Sequence, residues 1–307
     1  MCTDIEATAA RIHQVLRSAP TSSSAHRALH AKGVMAAGRF TATGALSART
    51  SAAHLVTGST PATVRFSHPG GDPGAPDAVP SARGMAVKLH TADGSHDLVA
   101  VSSPAFPVRD GASFLELLAA RAPDAETGAA DPARMLAFVE SHPESLPAIQ
   151  AAMAARVPSS YATLAYNGLH TFFLVDQDGH RRPFRYSWVP VGGEQFVDDP
   201  PDGFDLAAEL AERVTGPPED AAFDLVVHLG TDQDPTGDPT AVWPERPGVV
   251  AGRLQLDSLV ADAEPIIFDP TNVPSGVGLD PDDEILQLRR AAYGLSYAAR
   301  TAAPARS

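Results

Sequence analysis

The chain has 307 residues, of which 44% are hydrophobic, enough to bury one substantial core without requiring a second domain. Its 37 acidic residues outweigh 23 lysines and arginines, giving a formal net charge of −14, so most of its surface would repel nucleic acid or an anionic membrane. The only cysteine is Cys2, which excludes an intrachain disulfide, a zinc ribbon or an iron–sulfur cluster built by this chain alone.

The first residues of the chain predict a helix and not a signal peptide, because acidic residues come early and no apolar run is unbroken. Ile5, Ile12, Val15 and Leu16 fall on one face at helical spacing, so we predict a short docking helix within residues 1–20. No stretch of the sequence approaches the length of a membrane span. We therefore expect a soluble, cytoplasmic protein.

Helical and strand-like patterns then follow one another along the chain. Helices are predicted over 4–17, 112–121, 132–140, 143–155 and 204–214. Strand-like runs cover 62–69, 223–230 and 249–260, and hairpins are predicted over 84–103, turning at 92–94, and over 168–191, turning at 176–179. Successive hairpins without βαβ alternation favour a single α+β domain, with an antiparallel sheet, curled or closed, and helices outside it.

The last predicted helix, over 280–300, has the clearest start. Asp280 suits the N-cap and Pro281 the first helical position, and the acidic residues 282–284 complement the positive end of the helix dipole.

Arg289, Tyr293 and Arg300 share one face of this helix. A tyrosine has a pKa near 10, and a metal or an arginine one turn away favours the anionic form that binds iron. Tyrosine is a known haem ligand. Taken alone, an arginine four residues before a tyrosine equally fits a surface arginine stacked on a core ring.

Three further blocks agree with the haem interpretation, namely 27–40, 62–114 and 268–293. In this order they resemble the haem-containing monofunctional catalase family, from about residue 25 to 300. The resemblance implies a closed antiparallel β-barrel with flanking helices. It also implies that haem b (iron protoporphyrin IX) is held between the barrel and the C-terminal helix.

The resemblance implies a role for each matching residue. Tyr293 is the proximal iron ligand and Arg289 its hydrogen-bonding partner. His30 is the distal histidine, which moves a proton between the two peroxide oxygens, and Ser67 holds the other nitrogen of its ring. The other implied haem-binding residues are a stacking ring, Phe114, and three arginines that neutralise the propionates, Arg27, Arg65 and Arg300.

Plainer interpretations exist for several of these residues. Phe114 also fits a core position, and Ser67 also fits a backbone hydrogen bond. His26 and His30 have the spacing of two zinc ligands on a helix, but no third ligand is evident nearby. The acidic loop 232–238 resembles half an EF-hand, but Trp243 occupies the twelfth position, where calcium binding requires a glutamate.

Two features depart from the full-length family. Val101 stands where catalases have an asparagine that helps to hold a second hydrogen peroxide, so the resemblance implies a weakened second half of the catalase cycle. The chain is also short and resembles the shortened, catalase-related peroxidase branch, which implies a more accessible haem and a homodimer in place of a wrapped tetramer. Gly294 and Tyr297 are further differences beside the ligand.

The sequence therefore predicts a haem-dependent peroxidase that reduces organic peroxides and hydrogen peroxide while oxidising a small organic electron donor. Three alternatives remain open: a weak minimal catalase that disproportionates hydrogen peroxide, a fatty-acid hydroperoxide isomerase, and a haem carrier or sensor. A carrier has no need of a distal acid–base pair, so His30 and Ser67 favour the enzyme.

Overall fold

The computed structural model describes residues 4–19, 22, 25–124, 128–129, 131–261 and 266–302. The predicted N-terminal helix is confirmed as α1 (Ile5–Arg17), which begins at Asp4, whose carboxylate accepts the backbone N–H of Ala7 at 3.0 Å. Cys2 and the two ends of the predicted 1–20 segment lie outside the described residues.

Eight strands form an antiparallel barrel. They are β1 (Gly33–Ala42), β2 (Ser59–Ser67), β3 (Gly84–Thr91), β4 (Gly94–Val101), β6 (Tyr166–Val175), β7 (Arg181–Pro190), β9 (Ala222–Leu229) and β10 (Val249–Val260). The sheet order is β6-β4-β3-β2-β1-β10-β9-β7, and pairing of β7 with β6 closes the ring. A short strand, β11 (Val277–Leu279), pairs with β6, and β5 (Val157–Pro158) pairs with β8 (Phe196–Val197). The predicted closed antiparallel barrel is confirmed.

Aromatic rings fill the inside of the barrel. On β2, the inward positions alternate with outward ones, so Phe66 points into the core while its neighbours Arg65 and Ser67 lie on the outer face. The ring of Phe66 lies 5.4 Å from that of Tyr161 and 6.0 Å from that of Phe223, centroid to centroid. Because these side chains occupy the interior, a cofactor has to bind against the outer face of the sheet.

Among the described residues, six further α-helices flank the barrel: α2 (Ala53–Val56), α3 (Gly111–Arg121), α4 (Pro132–Ser141), α5 (Leu146–Met153), α6 (Leu206–Arg213) and α7 (Glu284–Ala302). Helix α1 packs against α3 and α7. Ile12, Leu117 and Leu288 bury their side chains in the second apolar core that these helices form, separate from the barrel core. No helix among the described residues is both long and apolar enough to cross a membrane.

The predicted start of the last helix is wrong. Helix α7 begins at Glu284, and Asp283 caps it by accepting the N–H of Leu286 at 2.9 Å. Asp280 instead accepts the N–H of Asp282 at 2.9 Å, so the Asp280–Pro281 pair forms a turn before the helix. Each aspartate satisfies a backbone donor, and the sequence pattern does not distinguish a turn from a cap.

A buried histidine pair joins α2 to β4. His54 of α2 and His96 of β4 are 6% and 1% exposed, and their facing ring nitrogens lie 3.0 Å apart. Burial lowers the pKa of His54 to about 4 and holds the pKa of His96 well below its ordinary value. In the folded protein both rings are therefore neutral at neutral pH.

This pair predicts a loss of stability in acid. An unfolded histidine takes up a proton near pH 6.5, while folded His54 does so only near pH 4, so the free energy of unfolding should fall as pH drops between these values, by about 3 kcal/mol at most. Urea unfolding from pH 7.5 to pH 4 would measure this slope. The double variant His54→Leu/His96→Leu should make this slope shallower, leaving the part that other buried histidines such as His30 contribute, and an unchanged slope would contradict the assignment.

Candidate active site

A cavity of about 270 Å³ lies between the outer face of the barrel and the helices α1 and α7. One row of directly paired residues crosses its sheet wall: Ser67, Gly84, Val101 and Asn167. Directly paired residues of an antiparallel sheet project from the same face, so this row forms part of the cavity surface.

His30 occupies a narrow slot on this wall. Its Nδ1 lies 2.9 Å from the Ser67 hydroxyl, and an added Cβ at Gly84 would come within 2.9 Å of its ring. His30 also has a backbone φ of +57°, which is uncommon for a residue other than glycine and typical of functional sites. Only glycine at position 84 leaves room for the imidazole in this position.

Burial lowers the pKa of His30 to about 3, and the positive charges of Arg65, Arg289 and Arg27 contribute. The imidazole is therefore neutral at physiological pH and can accept a proton. Within the described part of the chain, its Nε2 has no hydrogen-bond partner. A neutral, oriented ring at the cavity wall is the arrangement that a proton-transfer group requires.

Tyr293 and Arg289 lie on α7, which forms another wall of the cavity. The guanidinium of Arg289 donates two hydrogen bonds to the Tyr293 hydroxyl oxygen, from Nε at 3.1 Å and from Nη2 at 2.8 Å. A cation that donates twice to one oxygen stabilises negative charge on it. The pair is thus suited to present a phenolate to a metal.

A second set of contacts, which the sequence did not predict, extends behind Arg289. Its Nη1 lies 2.8 Å from His170 Nε2, and His170 Nδ1 lies 2.6 Å from the Asp283 carboxylate. Arginine has only donors, so Nε2 of His170 must accept a hydrogen bond from Arg289. The ring proton of His170 must therefore be on Nδ1, which faces the Asp283 carboxylate. Asp283 therefore fixes the ring of His170, which in turn fixes Arg289.

His170→Leu should destabilise the protein, because it leaves the buried carboxylate of Asp283 and the guanidinium of Arg289 without their partner. We expect a loss of about 1–3 kcal/mol in the free energy of unfolding, measured by urea titration. His90→Leu is the matched control, since His90 is exposed and its ring bonds only the Thr63 hydroxyl among the described residues. Equal stability of both variants would refute a structural role for His170.

The three predicted propionate arginines also line the cavity. Arg27 and Arg300 each donate to the carbonyl oxygen of Ile266, at 3.0 and 3.3 Å, so their guanidinium groups meet in one corner. Arg65 is 3% exposed and donates to the carbonyl oxygen of His30 at 2.9 Å. Arg27 and Arg300 can therefore bind a carboxylate together, while Arg65 also holds the loop of the distal histidine.

Aromatic rings cover another part of the cavity. Phe114, on α3, stacks on Phe106 with ring centroids 6.0 Å apart.

Asn167 was not predicted as a site residue, although it lines the cavity beside Val101. Its amide donates to the carbonyl of Ser103 at 3.2 Å and accepts from the Ser187 hydroxyl at 2.8 Å.

Among the described residues, the cluster with metal-ligand geometry is Asp176, Asp178 and His180, in the exposed turn between β6 and β7. The carboxylate of Asp176 there accepts the backbone N–H groups of Asp178 and His180, which closes the turn. These hydrogen bonds account for the cluster without a metal.

The residues of the cavity fit a haem. Phe106 and Phe114 provide apolar surface for a porphyrin, and the corner of Arg27 and Arg300 provides cations for its carboxylates. The Tyr293 oxygen, with its two hydrogen bonds from Arg289, is an oxygen donor of the kind that binds haem iron. All eight residues predicted for the site line this one cavity.

Comparisons with known proteins agree with the fold. The family model described as Catalase matches residues 16–206. A catalase-related peroxidase of Mycolicibacterium paratuberculosis is 35% identical over 90% of this chain and 89% of its own length. A catalase-related peroxidase of Synechococcus elongatus is also 35% identical, over 89% of this chain and 82% of its own length.

Longer relatives match over only part of their length. Catalase-2 of Bacillus subtilis is 29% identical over 87% of this chain but only 42% of its own length. The solved structure of a bacterial catalase superposes with a TM-score of 0.72 at 25% identity, over 98% of this chain and 61% of that one. The chain belongs to the catalase family of haem oxidoreductases, and its length matches that of the shorter, catalase-related relatives.

Proposed function

We propose that the protein is a haem-dependent peroxidase that binds haem b, reduces organic peroxides and hydrogen peroxide, and oxidises a small organic electron donor. The observation that supports this most directly is the placement of a neutral, oriented His30 in the same cavity as the Tyr293–Arg289 pair. Bound haem would supply a redox-active iron that exchanges electrons with the peroxide and the donor.

Each residue around the cofactor would have a different role in binding it. Tyr293 would ligate the iron, and Arg289 would orient the ligand oxygen through its two hydrogen bonds. Arg27, Arg65 and Arg300 would neutralise the propionates, which are costly to bury without paired cations. Phe114 would stack on the porphyrin.

His30 would act on the peroxide. Its Nε2, which has no partner among the described residues, would take the proton from one peroxide oxygen and return it to the other, so that the departing oxygen leaves as a neutral alcohol or water. Ser67 would keep the ring in this orientation through Nδ1. A pKa of about 3 keeps the ring ready to accept that proton.

Val101 favours peroxidase over catalase activity. Its side chain offers no hydrogen bond to a second hydrogen peroxide, and the nearby Asn167 amide already bonds Ser103 and Ser187. A separate donor molecule must then supply the electrons that reduce the peroxide.

Val101→Asn should raise the rate of oxygen release from hydrogen peroxide by about tenfold, the value of one added hydrogen bond. An oxygen electrode would measure it. Val99→Asn is the matched control, because Val99 lies two residues earlier on the same face of β4 and also lines the cavity. Identical oxygen release from the wild type and Val101→Asn would contradict the proposal that Val101 limits catalase activity.

Three assays on the haem-loaded protein separate the candidate functions. Oxidation of a phenolic donor with little oxygen release supports the peroxidase. Rapid oxygen release without donor oxidation identifies a catalase, and consumption of a fatty-acid hydroperoxide without any reductant identifies an isomerase. Bound haem with none of these activities identifies a carrier or sensor.

A further inference from the structure

The N-terminal helix places a histidine at the cavity that no step of the proposed reaction uses. His13 lines the cavity together with Ile12 and Leu16, so this face of α1 looks into the space proposed for the haem. His13 is half-buried, and within the described part of the chain its ring makes no hydrogen bond. An imidazole placed this way is available to a bound ligand.

His13 lies near the corner where the arginines gather. One turn further along α1, Arg17 donates to the carbonyl of His26 at 2.8 Å, next in sequence to Arg27. Arg300 is close enough for its charge to lower the pKa of Arg17, after the larger effect of burial. Helix α1 therefore brings its basic face to the corner that Arg27 and Arg300 form at Ile266.

Further contacts hold this corner together. The Ser296 hydroxyl accepts the backbone N–H of Ala28 at 3.3 Å and a guanidinium N–H of Arg300 at 3.1 Å. These bonds join the loop before His30 to α7, while the apolar side of α1, including Ala9 and Ile12, packs in the helical core. The packing of Ala9 and Ile12 thus fixes the orientation of α1, and with it the position of His13 at the cavity.

We infer that His13 is a fourth propionate-binding residue, through which α1 closes over the carboxylate edge of the haem. The inference rests on the proposed haem binding. An imidazole N–H can donate to a carboxylate in either protonation state of the ring, and a hydrogen bond to a charged oxygen is among the stronger ones. The helix α1 would then be fastened by the cofactor as well as by its packing.

The test measures the loss of haem rather than turnover. Haem-loaded protein is mixed with an excess of apomyoglobin, and the transfer of haem is followed by absorbance. His13→Leu should lose haem about tenfold faster than the wild type, whereas His13→Gln, which keeps an N–H donor, should stay within about threefold. His90→Leu, at an exposed histidine on β3, is the matched control and should leave the rate unchanged.

Two spectroscopic measurements distinguish a hydrogen bond from packing. The propionate bending modes in the resonance Raman spectrum should shift in His13→Leu and remain in His13→Gln. Amide hydrogen exchange in α1 should be slower with haem than without it in the wild type, and this difference should shrink in His13→Leu. Equally fast haem loss from both variants, or unchanged loss and unshifted modes in His13→Leu, would overturn the inference. A wild type that binds no haem would instead refute the proposed function.

Discussion

Tyr293→Phe is expected to abolish the ferric high-spin Soret band of the reconstituted protein. Phenylalanine has no oxygen to bind iron, and the two N–H groups of Arg289 that point at the Tyr293 hydroxyl lose their acceptor. We expect haem affinity to fall by at least about 100-fold, since loss of the ligand is joined by the cost of partly buried donors that lose their acceptor. Titration of the apoprotein with haemin, followed by absorbance, measures the change.

Tyr297→Phe provides the control for this prediction. Tyr297 lies one turn further along α7, and its ring contacts the guanidinium of Arg300, which phenylalanine preserves. Its spectrum should match that of the wild type. A wild-type spectrum from Tyr293→Phe would exclude tyrosinate ligation, whatever the activity of the protein.

His30→Ala is expected to reduce the rate of reaction with peroxide by about 10²–10⁴-fold, the usual contribution of a positioned acid–base group. Haem binding should be retained, because His30 lies beside Ser67 on the sheet wall of the cavity and is separate from the proposed iron ligand on α7. Stopped-flow absorbance of the haem-loaded protein with an alkyl hydroperoxide measures the rate. Ser67→Ala, which only frees the ring of His30, should cost about tenfold.

The pH dependence gives an independent check on His30. Because its pKa is lowered to about 3, the neutral, proton-accepting form dominates above this value, and the rate should be flat from pH 5 to pH 8. If the rate fell as the pH was lowered, with a midpoint near pH 6.5, the pKa of His30 would be that of an ordinary, exposed histidine. Full turnover by His30→Ala would refute the role assigned to it.

The regular elements were predictable where side-chain patterns are strong. Strand β10 (Val249–Val260) has the predicted ends, because branched and apolar residues alternate along it and the pairing with β1 continues to Val260. Strand β1 (Gly33–Ala42) was missed, since its glycines and alanines have low strand propensity. Pairing on both sides, with β2 and β10, makes this segment a strand. The strand conformation of β1 is therefore determined by tertiary contacts and not by the local strand propensity of its residues.

The candidate site was predictable only where a sequence block contained it. Arg289 and Tyr293 are four residues apart on one helix, so their contact follows from helical geometry. His170 and Asp283 are separated by 113 positions, and no local sequence pattern predicts the contact between them. Asn167 likewise reaches the cavity only because β6 pairs with β4 at Val101. The sequence therefore indicates the ligands better than the residues that support them.

The carboxylate of Asp283 couples the first turn of α7 to the environment of Tyr293. One of its oxygens accepts the N–H of Leu286, and the other accepts the N–H of His170, which accepts in turn from Arg289. Fraying at the start of this helix would thus release Arg289 from the chain of contacts that orients it. Motion at Asp283 would in this way reach the Tyr293 hydroxyl, although the two residues are ten positions apart in sequence.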